Sequence, residues 1–185
     1  MTAGTVRVIG IVGSLRTASY NGWLLRAAAE LAPPDMTLAA AGLAAIPLYN
    51  HDVEERGDPP PVAAFRAAVR EADGVLIASP EYNYGVPGVL KNAIDWISRP
   101  PGQPPLRRKP VAIMGTSRGG SGTMRMQVQL RVTLQSVEAY TMPKPEMAVP
   151  HCAGKFDAEG RLTDVDTREH LAAYLAAFAE WINLF

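Results

Sequence analysis

Two hydrophobic patterns take turns along the chain. Short continuous apolar runs rich in β-branched residues lie at 6–12, 74–79 and 109–116. Bounded by Gly13, Pro80 and a glycine-rich stretch, they predict strands buried on both faces. Between them, apolar residues recur at helical spacing. Trp23 or Leu24, Ala27, Ala28 and Leu31 form one stripe, with Ser19 as its N-cap and Pro33-Pro34 as its stop. Val62, Phe65, Ala68 and Val69 form a second. Leu90, Ala93, Ile94 and Ile97 form a third, ended by Pro100-Pro101. A helix is expected over about 123–134, and Leu171, Tyr174, Leu175, Phe178, Ile182 and Phe185 mark the last one. Residues 36–40 and 137–142 read as further strands. Residues 46–61, rich in proline and charge, read as a long loop with a function or mobility of its own.

Alternation of strand and helix implies parallel strands joined by helical crossovers, with helices on both faces of the sheet. No internal repeat or linker interrupts residues 1–185, so a single domain is expected, and that length suits one sizeable core. The formal net charge is zero, which argues against a nucleic-acid partner, since phosphate tracking needs a basic face. One cysteine, Cys152, excludes an internal disulfide and multi-thiolate zinc sites and fits a reducing compartment. No apolar run reaches the roughly 18 residues of a membrane span. The first five residues lead straight into a strand without signal-peptide character. A cytoplasmic protein with no membrane partner is expected.

In an open parallel sheet, ligands bind beyond the carboxyl ends of strands, where strand order reverses. Three loops follow such ends. The first, 13–21, carries Ser14, Arg16, Thr17, Ser19 and Asn21 and opens a helix, whose free N–H groups and dipole favour an anion. A phosphate monoester suits it. An ordinary strand-to-helix turn, with Ser19 as cap and Arg16 in solvent, accounts for it equally. Neither G-x-x-x-x-G-K-[ST] nor G-x-G-x-x-G is present. The second loop, 79–88, is stiffened by Pro80 and Pro87 and offers the flat faces of Tyr82 and Tyr84. It suits the edge of a heteroaromatic ring, or a plain turn. The third, 116–122, exposes amides through Gly119, Gly120 and Gly122, or is a flexible connection.

Together the loops resemble the NAD(P)H-dependent FMN reductase family, in its bacterial quinone- and chromate-reducing branch. The resemblance rests on Gly-Ser-Leu-Arg-x-x-Ser-x-Asn at 13–21, Ile-Pro-Leu-Tyr at 46–49 and the long run from Ser79 to Pro100. It covers nearly the whole chain and weakens after about residue 150. It implies a flavodoxin-like three-layer fold with a five-stranded parallel sheet in order 2-1-3-4-5. It puts the FMN phosphate on Ser14, Arg16, Ser19 and Asn21, with backbone help from Leu15 and Tyr20. The ring then lies against Pro80, Glu81, Tyr82 and Asn83, with Ser117, Gly119 and Gly120 on another side. It implies a homodimer or homotetramer, with Arg125 and Glu146 at positions that join tetramer contacts in related proteins. Arg118-Gly119-Gly120-Ser121 is more basic and glycine-rich than the branch pattern.

The chemistry implied is hydride transfer from NAD(P)H through non-covalent FMN to a quinone or similar small acceptor, in ping-pong order. No side chain is required as general acid or base. A flavin reductase that releases reduced FMN to a partner, and a flavodoxin-type electron carrier, are the alternatives. Such carriers are usually strongly acidic, and this chain is neutral. His51, His151 and His170 are scattered, so no metal site is expected. Cys152 reads as a packed thiol, and Trp96 as a helix-packing or subunit-contact residue. Tyr84 suits either an interface or an acceptor contact, and Arg118 a nucleotide 2′-phosphate.

Overall fold

A computed structural model describes residues 5–99 and 102–185, so the stop expected at Pro100-Pro101 lies outside the described residues. The strands are β1 (Val6–Val12), β2 (Met36–Ala41), β3 (Gly74–Ala78), β4 (Pro110–Thr116), β5 (Tyr140–Thr141) and β6 (Met147–Val149). The helices are α1 (Tyr20–Glu30), α2 (His51–Glu54), α3 (Pro60–Glu71), α4 (Gly88–Ile97), α5 (Met124–Ser136) and α6 (Val165–Ile182). The sheet runs β2-β1-β3-β4-β5 with every pairing parallel, as the resemblance implied.

Side-chain alternation along the central strands divides the interior. Val6, Val8, Leu76, Ala78, Ala112 and Met114 face α1 and α6. Ile9, Ile11, Val75, Ile77, Val111 and Ile113 face α3, α4 and α5. Residues of both parities are therefore apolar, which is why these strands read as continuous runs. Each large side chain sealed this way contributes about 1.5–3 kcal/mol. Gly10 lets α1 sit close on β1, since a Cβ there would lie 2.8 Å from the Leu25 methyls.

Two expectations about the sheet need correction. The strand expected over 137–142 is only Tyr140–Thr141, because α5 runs on to Ser136. The turn after α5 passes through a left-handed Glu138 (φ 59°), and the Ala139 N–H closes back on the Leu134 carbonyl at 3.0 Å. The fifth position of the sheet is also split. β5 pairs with the start of β4, and the unforeseen β6 pairs with its end, Met114↔Met147 through Thr116↔Val149. Three residues are too short for periodicity to register.

The loop over 46–61 is pinned. Asn92 of α4 donates to the Pro47 carbonyl at 2.9 Å and accepts the Tyr49 N–H at 2.8 Å, and the Trp96 indole donates to the same carbonyl at 2.8 Å. α2 interrupts the loop, and α3 begins earlier than its apolar stripe, at Pro60. The buried Arg66 donates to the Trp96 carbonyl and pairs with Asp58 and Glu54. Burial pushes the Glu54 carboxyl up. Hydrogen bonds with Tyr49 and His51 and the nearby arginine charges outweigh it, leaving the pKa below its ordinary value.

Candidate functional site

The carboxyl ends of β1, β3 and β4 meet with little space between them. The Gly13 N–H donates to the Ala78 carbonyl at 2.9 Å. A Cβ on Gly13 would lie 2.4 Å from Ser79 Oγ, and one on Gly115 would lie 2.4 Å from the Ser79 carbonyl oxygen. Glycine at both positions is what lets three loops converge around Ser79.

After Gly13, residues 15–18 stand in solvent, and Ser19 caps α1 by accepting the Gly22 N–H at 3.3 Å. Ser14 Oγ accepts the Arg16 N–H at 3.3 Å and lies 3.4 Å from the Tyr82 hydroxyl, so the first two loops touch. Among the described residues, the Tyr20 and Asn21 N–H groups have no protein acceptor. They are the open donors of a helix start.

The second loop is a tight hairpin. Tyr82 and Gly85 exchange backbone hydrogen bonds of 3.2 and 2.9 Å around Asn83 (φ 51°) and Tyr84 (φ 66°). Two successive left-handed residues without glycine cost about 1–2 kcal/mol each. Contacts with α5 offset this. The Glu81 carboxylate accepts the Met126 N–H at 3.1 Å and lies 3.6 Å from Arg125, whose guanidinium sits 4.2 Å from the Tyr84 ring centre. Gln129 donates to the Tyr84 carbonyl at 2.9 Å.

β6 holds the third loop. Thr116 Oγ1 and the Ser117 N–H both donate to the Val149 carbonyl, and the Cys152 N–H donates to the Ser117 carbonyl at 3.0 Å. Cys152 is buried, and burial pushes its thiol pKa up, which suits an unreactive packing role.

The loops enclose a cavity of about 450 Å³ lined by Ser14, Arg16, Ser19, Tyr20, Asn21, Pro80, Glu81, Tyr82, Thr116, Ser117 and Arg118. Nine residues expected at the site thus share one wall. Leu15 instead lines an adjoining cavity of about 420 Å³ that shares Ser14, Arg16 and Ser19. Asn83, Gly119 and Gly120 do not line the main cavity, although Gly119 is tied to this region by the His151 N–H at 3.2 Å.

Two placements differ from a direct ligand role. The Asn21 side chain is buried and spent on Thr116, donating to its carbonyl at 3.0 Å and accepting its N–H at 2.9 Å. The Glu81 carboxylate is turned to the start of α5. Thr116 is the wall residue not singled out from sequence, and its position as the last residue of a central strand was the available signal. Arg125 pairs with Glu81 and Glu146 with Lys144. Among the described residues no group of three metal-ligating side chains gathers, and no helix is long and apolar enough to cross a membrane.

A further depression of about 570 Å³ lies at the opposite end of the strands, at the starts of β1 and β4, beside Arg107, Arg108 and Lys109. Its cations serve the ends of other elements. Arg107 pairs with Glu138, and Lys109 donates to the Arg70 and Ala72 carbonyls at the end of α3.

The main cavity can take a ligand with an anionic end at α1 and a flat end between the second and third loops. Known proteins agree with this geometry. The model for NADPH-dependent FMN reductases matches residues 6–154. An NAD(P)H-dependent FMN reductase of Pseudomonas aeruginosa is 48% identical over 178 residues, covering 96% of each chain. A quinone reductase of Escherichia coli K12 is 45% identical over 181 residues, again covering 96% of each. Among solved structures, a flavoenzyme NAD(P)H:(acceptor) oxidoreductase of Paracoccus denitrificans superposes with a TM-score of 0.89 at 35% identity, covering 96% of this chain and 97% of that one. With its sheet order, its three converging loops and these similarities in agreement, the chain belongs to the NADPH-dependent FMN reductase family.

Proposed function

We propose that this protein is an oxidoreductase that passes hydride from NAD(P)H to a quinone or similar small acceptor by way of FMN held in the cavity between the three loops. The observation that carries the reading is one continuous wall. It runs from the hydroxyls and guanidinium of Ser14, Arg16 and Ser19 to the stiff segment Pro80–Tyr82. The volume lies in the range of ligand pockets, and the donor set suits a phosphate monoester.

In this reading Ser14, Arg16 and Ser19 hold the phosphate together with the open amides of the loop and of the first turn of α1. Pro80, Tyr82 and the backbone of Glu81 and Asn83 flank the ring on one side, and Ser117 with the Gly119-Gly120 amides on another. Asn21 and Glu81 act through their side chains as clamps on Thr116 and α5. Bound FMN supplies the two-electron chemistry, accepting hydride from the nicotinamide and delivering it to the acceptor. The protein's part is to hold the ring rigidly, leave one face open and set amide dipoles around it. A single open face serves donor and acceptor in turn, so parallel double-reciprocal plots are expected.

A cytoplasmic, single-domain homodimer or homotetramer is part of the reading. Met124, Val128 and Val132 recur every fourth residue on the exposed side of α5, the helix to which Arg125 and Gln129 tie Tyr84, and form an apolar strip suited to a second copy.

The test is retention of FMN through gel filtration, followed by turnover of NADPH and NADH against a quinone. Wild-type protein should elute yellow and turn over. Arg16→Ala should bind FMN roughly tenfold or more weakly, as expected for loss of a charge-assisted phosphate contact. A colourless, inactive wild-type protein would refute the reading.

A further inference from the structure

Two guanidinium groups reach the main cavity, Arg16 and Arg118, and among the described residues neither forms a salt bridge with a carboxylate. They differ in how they are held. Arg16 stands on the exposed phosphate-side loop. Arg118 comes from the third loop, with its guanidinium 5.7 Å from the Tyr20 ring centre, a cation–π contact. The backbone around Arg118 is also fixed. On one side the Ser117 N–H donates to the Val149 carbonyl and the Ser117 carbonyl accepts the Cys152 N–H; on the other the Gly119 carbonyl accepts the His151 N–H. An exposed arginine with its base anchored and its tip tethered has already lost much of its rotamer freedom, so an incoming anion meets a preorganised fork.

We propose that Arg118 is the binding residue for the phosphate-bearing part of NAD(P)H, a second anion subsite beside the one that holds the cofactor. The inference rests on the FMN-reductase reading above and deepens it. A monophosphate at α1 is already served by Ser14, Arg16, Ser19 and the open amides of the first loop and α1, whereas Arg118 comes from the third loop and reaches the ring of Tyr20 rather than its amide. The donor is the other obligatory anion, and its phosphates must pass the rim of the same cavity. Arg118 is exposed where it lines that cavity, and its guanidinium is permanently charged.

The test uses FMN-loaded protein and measures affinity for NADP+ and NAD+ by titration calorimetry, with FMN affinity measured separately by flavin fluorescence. Arg118→Ala should weaken nucleotide binding about five- to tenfold, a charge-assisted contact discounted for exposure, and leave FMN affinity unchanged. Arg118→Lys should recover part of the loss. A loss confined to NADP+ assigns the contact to the 2′-phosphate, and an equal loss with NAD+ assigns it to the diphosphate; both sustain the proposal. A fall in FMN affinity with nucleotide binding intact would overturn it, placing Arg118 on the cofactor phosphate. Unchanged affinities for all three ligands would also overturn it. Wild-type protein that binds no FMN would instead refute the underlying reading.

Discussion

Asn21 shows how one buried amide can govern a site without facing the ligand. Its two polar atoms match the N–H and carbonyl of Thr116, residues 95 apart in sequence, and so fix α1 against the end of β4. Asn21→Ala would leave both backbone groups of the buried Thr116 short of a partner. A loss of about 2–3 kcal/mol in urea-unfolding stability is expected. Weaker FMN binding should follow, because the first and third loops would no longer be held in register. If stability were unchanged, Asn21 would be a ligand contact and the clamp assignment would be wrong. The Asn83-Tyr84 pair belongs to the same scale. Its left-handed backbone persists because Gln129, Arg125 and Glu81 hold the hairpin to α5.

At the scale of elements, α6 is the clearest case of burial and capping combined. Leu171, Tyr174, Leu175 and Phe178 are sealed against the sheet, and the Tyr174 hydroxyl donates to the Ile113 carbonyl at 2.7 Å. Asp164 caps the helix by accepting the Thr167 N–H at 3.0 Å and holds Lys155 at 2.7 Å. The hydrogen bond from Lys155, followed by that from Thr167, draws the Asp164 pKa down from 3.8 to about 2. A folded-state pKa below the unfolded value means the stabilisation is complete above about pH 4 and is lost as pH falls towards 2. Thermal melts should therefore fall over that window. Asp164→Asn, which keeps a capping oxygen but cannot titrate, should show a shallower decline there. Equal slopes would remove Asp164 as the source. Elsewhere, the buried Arg66 with Asp58 and Glu54 plays the corresponding part for the 46–61 segment, holding it to the back of α4.

For the whole molecule, the proposed assembly falls on one surface. The α5 strip of Met124, Val128 and Val132 lies on the helix that holds the hairpin bordering the cavity, so a second copy seated there would also shape access to the flavin face. The double variant Val128→Asp, Val132→Asp should halve the mass seen by light scattering while leaving the far-ultraviolet circular dichroism unchanged. A wild-type protein that is already monomeric at micromolar concentration would remove that surface from the account.

Sequence alone determined the alternating architecture, because burial on both faces of a parallel strand demands unbroken apolar runs and its crossover helices demand 3.6-residue periodicity. Both patterns are local, and so are the loop motifs from Gly13 to Asn21 and from Ser79 to Gly88. Tertiary structure decided what those motifs do. It brought nine expected residues to one cavity, turned Asn21 and Glu81 inward as clamps, and split the last sheet position into β5 and β6. These outcomes depend on which distant backbone groups need partners after the strands align. Pairings such as Asn21 with Thr116, Arg66 with the Trp96 carbonyl and Arg118 with Tyr20 leave no periodic trace along the chain.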